Sequence, residues 1–237
     1  MSAQDPRNKF KTDNYEKQEQ EVPGIQAKMS PQPDCGEDSY HGHHRLDGFK
    51  ILVTGGDSAI GRAAAIAYAK EGADVAINYL PSEQQDADDV KQIIENVGQK
   101  AILIPGDIRD EQFNYDMVEK AYQQLGGLDN VTLVAGHQLY QDELSEFKTQ
   151  DFTETFETNV YPVFWTVQKA LEYLQPGGSI TTTSSVQGYN PSPILHDYAA
   201  TKAAIISLTK SFSAELGPKG IRAVSYTHLR AHETGRN

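Results

Sequence analysis

From Phe49 onward the chain alternates short apolar runs with amphipathic stretches. The runs "FKILVTG", "ADVAINY", "KAILIPGD", "NVTLVAG" and "SITTTSS" predict five strands, and the spacing between them predicts helices near 61–71, 82–97, 111–125, 151–174 and 197–216. Runs that are apolar on both faces must be covered on both faces. The order therefore predicts an α/β fold, a doubly wound parallel sheet with helices on both sides. Pro162 stands inside the longest helical stretch, where it can donate no N–H, so a kink is expected there.

Residues 1–46 have a different texture. They are polar, hold Pro6, Pro23, Pro31 and Pro33, and show no period that could bury a face, so they read as an extended arm. Residues 47–223 then form one domain, which suits a chain of 237 residues with 38% apolar content. Within the arm His41, His43 and His44 lie close together, but no acidic or cysteine partner stands at ligand spacing, so no metal is expected. A formal charge of −12 repels phosphate backbones and anionic lipid, which argues against nucleic-acid and membrane partners. One cysteine, Cys35, leaves no intrachain disulfide, and no apolar stretch approaches the ~20 residues that span a bilayer; a soluble cytoplasmic protein is expected.

Candidate chemistry begins directly after the first strand, with "TGGDSAIGRAAAIAYAKEGA". A strand, a glycine-rich turn and a helix start let main-chain N–H groups approach a pyrophosphate, and Gly55 and Gly61 are the glycines placed for it. The second strand ends at Asn78 and Tyr79 without the carboxylate that usually selects NAD, so NADP is favoured and NAD stays open. Further on, Ser185 sits at the C-terminal end of a strand, and Tyr198 and Lys202 are four residues apart on a helix, hence on one face. An ammonium beside a phenol favours the phenolate and fits it for acid–base work. An isolated pair at this spacing can equally line an exposed helix face. Asn159 falls at the expected kink, which frees a carbonyl for water, and as a polar residue it can at the same time satisfy the broken ladder.

Taken together, "TGGDSAIGR", "PGDI", "LVAGHQ", Asn159, Ser185 and "YAATK" resemble the short-chain dehydrogenase/reductase family, over roughly residues 46–222. The arm stretch "VPGIQAKMSPQPDCGE" is similar to a bacterial subgroup with aldehyde-reductase and glucose-dehydrogenase-like members. The resemblance implies a Rossmann-type sheet and an NAD(P)-dependent enzyme, foremost NADPH-dependent reduction of small aldehydes or the reverse oxidation of an alcohol or sugar. It implies that Tyr198 is the proton donor, that Lys202 lowers its pKa and binds the nicotinamide ribose, that Ser185 holds the carbonyl oxygen, and that Asn159 supports a water. It further implies a cofactor set of Gly55, Asp57, Ser58, Ile60, Gly61, Asn78, Tyr79, Asp107, Ile108, Ala135 and Gly136 together with Tyr198 and Lys202, and a homotetramer. A catalytically silent dinucleotide-binding protein is the alternative.

Three departures from that pattern carry expectations of their own. Ala59 stands where the family has a glycine; if φ is positive there, its methyl strains a turn that closely approaches the cofactor. "LVAG" replaces the usual NNAG, so Leu133 and Val134 supply no side-chain amides. After "KGIR" the chain reads "AVSYTHLRAHETGRN", whose stretch "VSYTHLRAHET" is similar to a translated sequencing adapter and lacks the apolar run of a further strand. Residues 224–237 are accordingly read as a non-native tail, with no metal assigned to His228 and His232. The fold is expected to be C-terminally truncated, without the family's last two strands and substrate lid. Its fifth strand would be left unpaired and the chain poorly soluble or inactive.

Overall fold

A computed structural model describes residues 18–227. Six parallel strands form one sheet in the order β3-β2-β1-β4-β5-β6. These are β1 (Lys50–Thr54), β2 (Asp74–Tyr79), β3 (Ala101–Pro105), β4 (Asn130–Leu133), β5 (Ser179–Thr183) and β6 (Arg222–Tyr226). The helices are α1 (Ala59–Lys70), α2 (Gln84–Asn96), α3 (Glu111–Leu125), α4 (Thr149–Asn159), α5 (Tyr161–Ala170) and α6 (His196–Leu216).

Side chains alternate across β1, and each face has its own core. Ile51 and Val53 pack with Val75, Ile77, Val90 and Ile94 on the side covered by α1 and α2. Leu52 packs with Val131, Ile180, Met117, Val167 and Leu216 on the side covered by α3, α5 and α6. Each fully buried Leu, Ile or Val contributes roughly 1.5–3 kcal/mol, so the doubly covered centre of the sheet carries most of the driving force. Helix ends follow local chemistry. The Asp110 side chain accepts from Phe113 N at 2.7 Å to start α3, and Gly126 ends it at φ 78°.

The long helical stretch divides at Val160 into α4 and α5, with Pro162 in the first turn of α5, where its missing N–H is harmless. The break turns Asn159 into the last residue of a helix, fully buried at 1% exposure.

One expectation is corrected by the fold. Arg222–Tyr226 pairs with β5 in parallel, from Ser179 opposite Arg222 to Thr183 opposite Tyr226, so the fifth strand does have a neighbour. The segment lacks an apolar run because an edge strand needs none. Ala223 alone turns fully inward, Val224 and Tyr226 stay half exposed, and the ladder satisfies the backbone of β5. Residues 224–226, read from sequence as part of a tail, thus belong to the sheet; His228 and His232 lie outside the described residues.

The arm is tied to the domain by polar contacts. Its described part packs along α1 and α2 through polar contacts, burying Gln26 and Cys35. Arg62 pairs with Glu37 at 2.9 Å, and Lys70 donates to the carbonyls of Gly36, Glu37 and Tyr40. Glu71 accepts from Tyr40, His43 N and Arg45, and the Arg45 guanidinium holds its carboxyl well below the usual range.

Candidate active site

The strand order reverses direction at β1 and β4, and the turns that follow these two strands meet there. Thr54 ties them, accepting from Val134 N at 3.1 Å on its hydroxyl and from Ala135 N at 3.2 Å on its carbonyl. Gly55 has φ 63°, and a Cβ added to it would lie 3.1 Å from Ala135 Cα, so glycine is required for both conformation and space. At Gly61 an added Cβ would lie 1.8 Å from the Gly55 carbonyl oxygen. The start of α1 is thereby pressed onto the turn, and its first N–H groups face the crevice where open α/β sheets take ligands.

Ala59 has φ 46°, so the conformation that glycine adopts without cost is imposed on a residue with a Cβ. Its N–H is held by Gln26 Oε1 at 2.6 Å. Ile60 and Gly61 retain first-turn N–H groups for an anion. Ser58 precedes the helix in extended backbone, and Asp57 is buried with Oδ2 unpartnered, its pKa raised by burial. A dinucleotide fits this donor set: main-chain N–H groups at a helix start, beside a crevice walled by two glycine-bearing turns.

The strand ends on either side are less open than expected. Asn78 donates its amide to the carbonyls of Ile104 and Gly106, both at 3.1 Å, and so splices β2 to the end of β3. Tyr79 is buried and donates to Gln84 at 2.7 Å. Neither side chain is free for a ribose, which leaves that contact to the backbone. Asp107 is paired to Arg109 at 2.6 Å, which lowers its pKa, and Ile108 is buried beside it.

Across the crevice, α4 and α6 run side by side and bring the polar residues together. Asn159 exchanges two hydrogen bonds with the His137 backbone, accepting at 2.6 Å and donating at 2.8 Å, and donates to Thr201 at 3.0 Å. With both amide hydrogens in use, its side chain acts as a clamp between the loop after β4 and α6. A Cβ on Gly136 would stand 3.4 Å from Asn159 Oδ1 and 3.7 Å from Lys202 Nζ, which places all three at one spot.

Lys202 is buried, donates to the Thr183 carbonyl at 2.8 Å and lies 5.3 Å from the centre of the Tyr198 ring. Burial pulls its pKa down to about 8. The Tyr198 pKa is raised, chiefly by burial, with the neighbouring Ser185 hydroxyl acting against it. The lowering expected from Lys202 is therefore not the prevailing effect. The ammonium is directed at a carbonyl, and the strongest opposing contact to the phenol is the serine. Ser185 also accepts from Gln187 N at 3.2 Å, which fixes it at the end of β5.

A further rung was not anticipated. Thr155 donates to Asp197, whose other oxygen is buried without a partner, one helical turn before the Asn159–Thr201 contact. The positions 155 and 159 on α4 against 197 and 201 on α6 share a four-residue spacing, the one signal in the sequence that could have revealed it. Gln26 escaped notice because its partner lies 33 residues away. Among the described residues no cluster suited to a metal occurs, and no helix is long and apolar enough to cross a membrane.

Comparison with known proteins identifies the family. The family model described as short chain dehydrogenase matches residues 50–228. The Bacillus subtilis oxidoreductase YhxD is 56% identical over 220 residues, covering 93% of this chain and 74% of its own. The chloroplastic NADPH-dependent aldehyde reductase 1 of Arabidopsis thaliana is 33% identical over 213 residues, 87% of this chain and 74% of its own. A crystal structure of a short chain dehydrogenase from Burkholderia cenocepacia in complex with NADP superposes with a TM-score of 0.72 at 36% identity, covering 76% of this chain and 74% of that one.

Proposed function

The chain belongs to the short chain dehydrogenase family, and on that premise we propose that it is an NADPH-dependent reductase of small aldehydes, able to run in reverse on an alcohol or sugar. The observation that carries this reading is the buried Lys202 set 5.3 Å from the Tyr198 ring, with Ser185 fixed at the end of β5 beside it. A bound nicotinamide supplies the hydride. The protein supplies the proton and the orientation.

In reduction the Tyr198 hydroxyl donates its proton to the substrate carbonyl oxygen, and Ser185 donates a hydrogen bond to the same oxygen. A raised phenol pKa suits a group that must hold its proton until charge develops on that oxygen. Lys202, 5.3 Å from the ring centre, stabilises the phenolate that remains and would hold the nicotinamide ribose. Asn159 keeps α4, α6 and the loop after β4 in register. The turn from Gly55 to Gly61, with Asp57, Ser58 and Ile60, would hold the pyrophosphate; Ala135 and Gly136 would line the nicotinamide side, and Asp107 with Ile108 the adenine side.

NADP is supported by the uncharged end of β2 and by the NADP complex of the Burkholderia relative. NAD is the second reading, favoured by Asp57 and the partly buried Glu83 near that strand end, since carboxylates attract ribose hydroxyls and repel a 2′-phosphate. Aldehyde reduction is supported by the Arabidopsis relative. A homotetramer is supported by the half-exposed Tyr161 and Phe164 on α5, an apolar face that a second copy would cover. Oxidation of NADPH and NADH across an aldehyde panel tests the reading. Turnover with several aldehydes supports it, and coenzyme binding without turnover supports the silent alternative.

A further inference from the structure

We infer that Gln26, on the N-terminal arm, is a positioning residue that holds the Ala59 turn in its coenzyme-binding shape. The inference rests on the proposed coenzyme site and adds to it a part of the chain that lies outside the sheet.

The arm grips two successive peptide planes of the turn. In the first, Ala59 N donates to Gln26 Oε1 at 2.6 Å. In the second, the Ala59 carbonyl oxygen lies 3.8 Å from Cys35 Sγ, whose thiol is a weak donor. A trans peptide points its C=O and N–H in opposite directions, so holding the Ala59 carbonyl towards the arm turns the Ile60 N–H away from it. The direction of that N–H is what an anion at the helix start reads.

Gln26 is well placed to impose this. It is 5% exposed, and its own main chain is anchored to α2: Gln26 N reaches Asp86 Oδ2 at 2.6 Å and Ala27 N reaches Asp86 Oδ1 at 3.1 Å. Its amide nitrogen lies 3.5 Å from Cys35 Sγ, which fixes which end faces Ala59. The need for such a hold follows from φ 46° at Ala59, a conformation that strains a residue with a Cβ and costs a glycine nothing. The strap offsets a strain that a glycine at this position would not have.

A double-mutant cycle on the full chain tests this, using Gln26→Met, which keeps side-chain length and removes the acceptor, and Ala59→Gly. Two readouts are taken: the dissociation constants of NADPH and NADH by titration of coenzyme fluorescence, and the melting temperature without coenzyme. Gln26→Met is expected to weaken coenzyme binding roughly three- to tenfold, the range of one lost hydrogen bond, but less than about twofold when Ala59→Gly is present. The melting temperature should likewise fall less in the glycine background. An equal loss in both backgrounds, or no loss in either, overturns the inference. If no variant binds either coenzyme, the functional reading fails. The strap on Ala59 then stands or falls on the melting-temperature cycle alone.

Discussion

The turn after β1 presents main-chain N–H groups, shaped by Gly55, Gly61 and the Gln26 strap, whereas the α6 face presents side chains, Tyr198 and Lys202, fixed by burial and by two contacts to α4. The first region is set by where a Cβ cannot go; the second by which polar groups are satisfied in the dark. A backbone site tolerates chemical change in its side chains and no change in shape. A side-chain site behaves in the opposite way. The contrast also separates two jobs, since holding an anion needs geometry and moving a proton needs a particular atom.

Five substitutions probe that contrast. Tyr198→Phe keeps the ring and removes the proton, so turnover should fall about 10²- to 10⁴-fold while the coenzyme dissociation constant stays put. Equal loss of both would place Tyr198 in binding rather than in proton transfer. Gly61→Ala should act on the opposite side. Its Cβ has no room against the Gly55 carbonyl, so stability should drop by about 1–3 kcal/mol in denaturant titrations and coenzyme binding should go with it. Thr155→Val removes the donor to the buried Asp197 and should cost about 1–3 kcal/mol, with kcat affected more than coenzyme affinity because α4 and α6 lose register. Ala59→Gly relieves a left-handed φ and should stabilise the fold by about 1 kcal/mol, tightening coenzyme binding; equal dissociation constants before and after would remove Ala59 from the account.

The fifth prediction concerns pH. Lys202 has a folded pKa of about 8 against an ordinary 10.5, so the folded state binds that proton less tightly than the unfolded chain. Its contribution to stability is therefore greatest above pH 10.5, falls as pH drops towards 8, and is level below that. Lys202→Met should flatten the wild-type slope in this window. A slope unchanged between the two proteins would show that Lys202 is not the titrating group.

Much of the sheet could be read from residue pattern alone, because strands covered on both faces leave uninterrupted apolar runs and glycine turns punctuate them. The kink at Pro162 was legible for the same kind of local reason. β6 was not, since an edge strand with one inward alanine carries no apolar signature. The arm was also illegible: its partners are carboxylates, carbonyls and one backbone N–H on helices far along the chain, and polar pairing leaves no period in the sequence. At the site, residue identity located Ser185, Tyr198, Lys202 and Asn159, but it did not reveal that Asn159 spends its whole amide on neighbours or that Asn78 and Tyr79 turn away from the crevice.

The arm meets α1 at both ends, at Ala59 through Gln26 and at Lys70 and Glu71 through the stretch from Gly36 to Arg45. A helix splinted in this way has lost the option of fraying one turn at a time. Its first and last amides should exchange with solvent at a common rate, shared with the arm's own protected amides, so that helix and arm open as a single unit. Anything that peels the arm away would then melt the coenzyme's docking platform as well as unwrap the surface, and the far end of α1 would register the event as early as the near end.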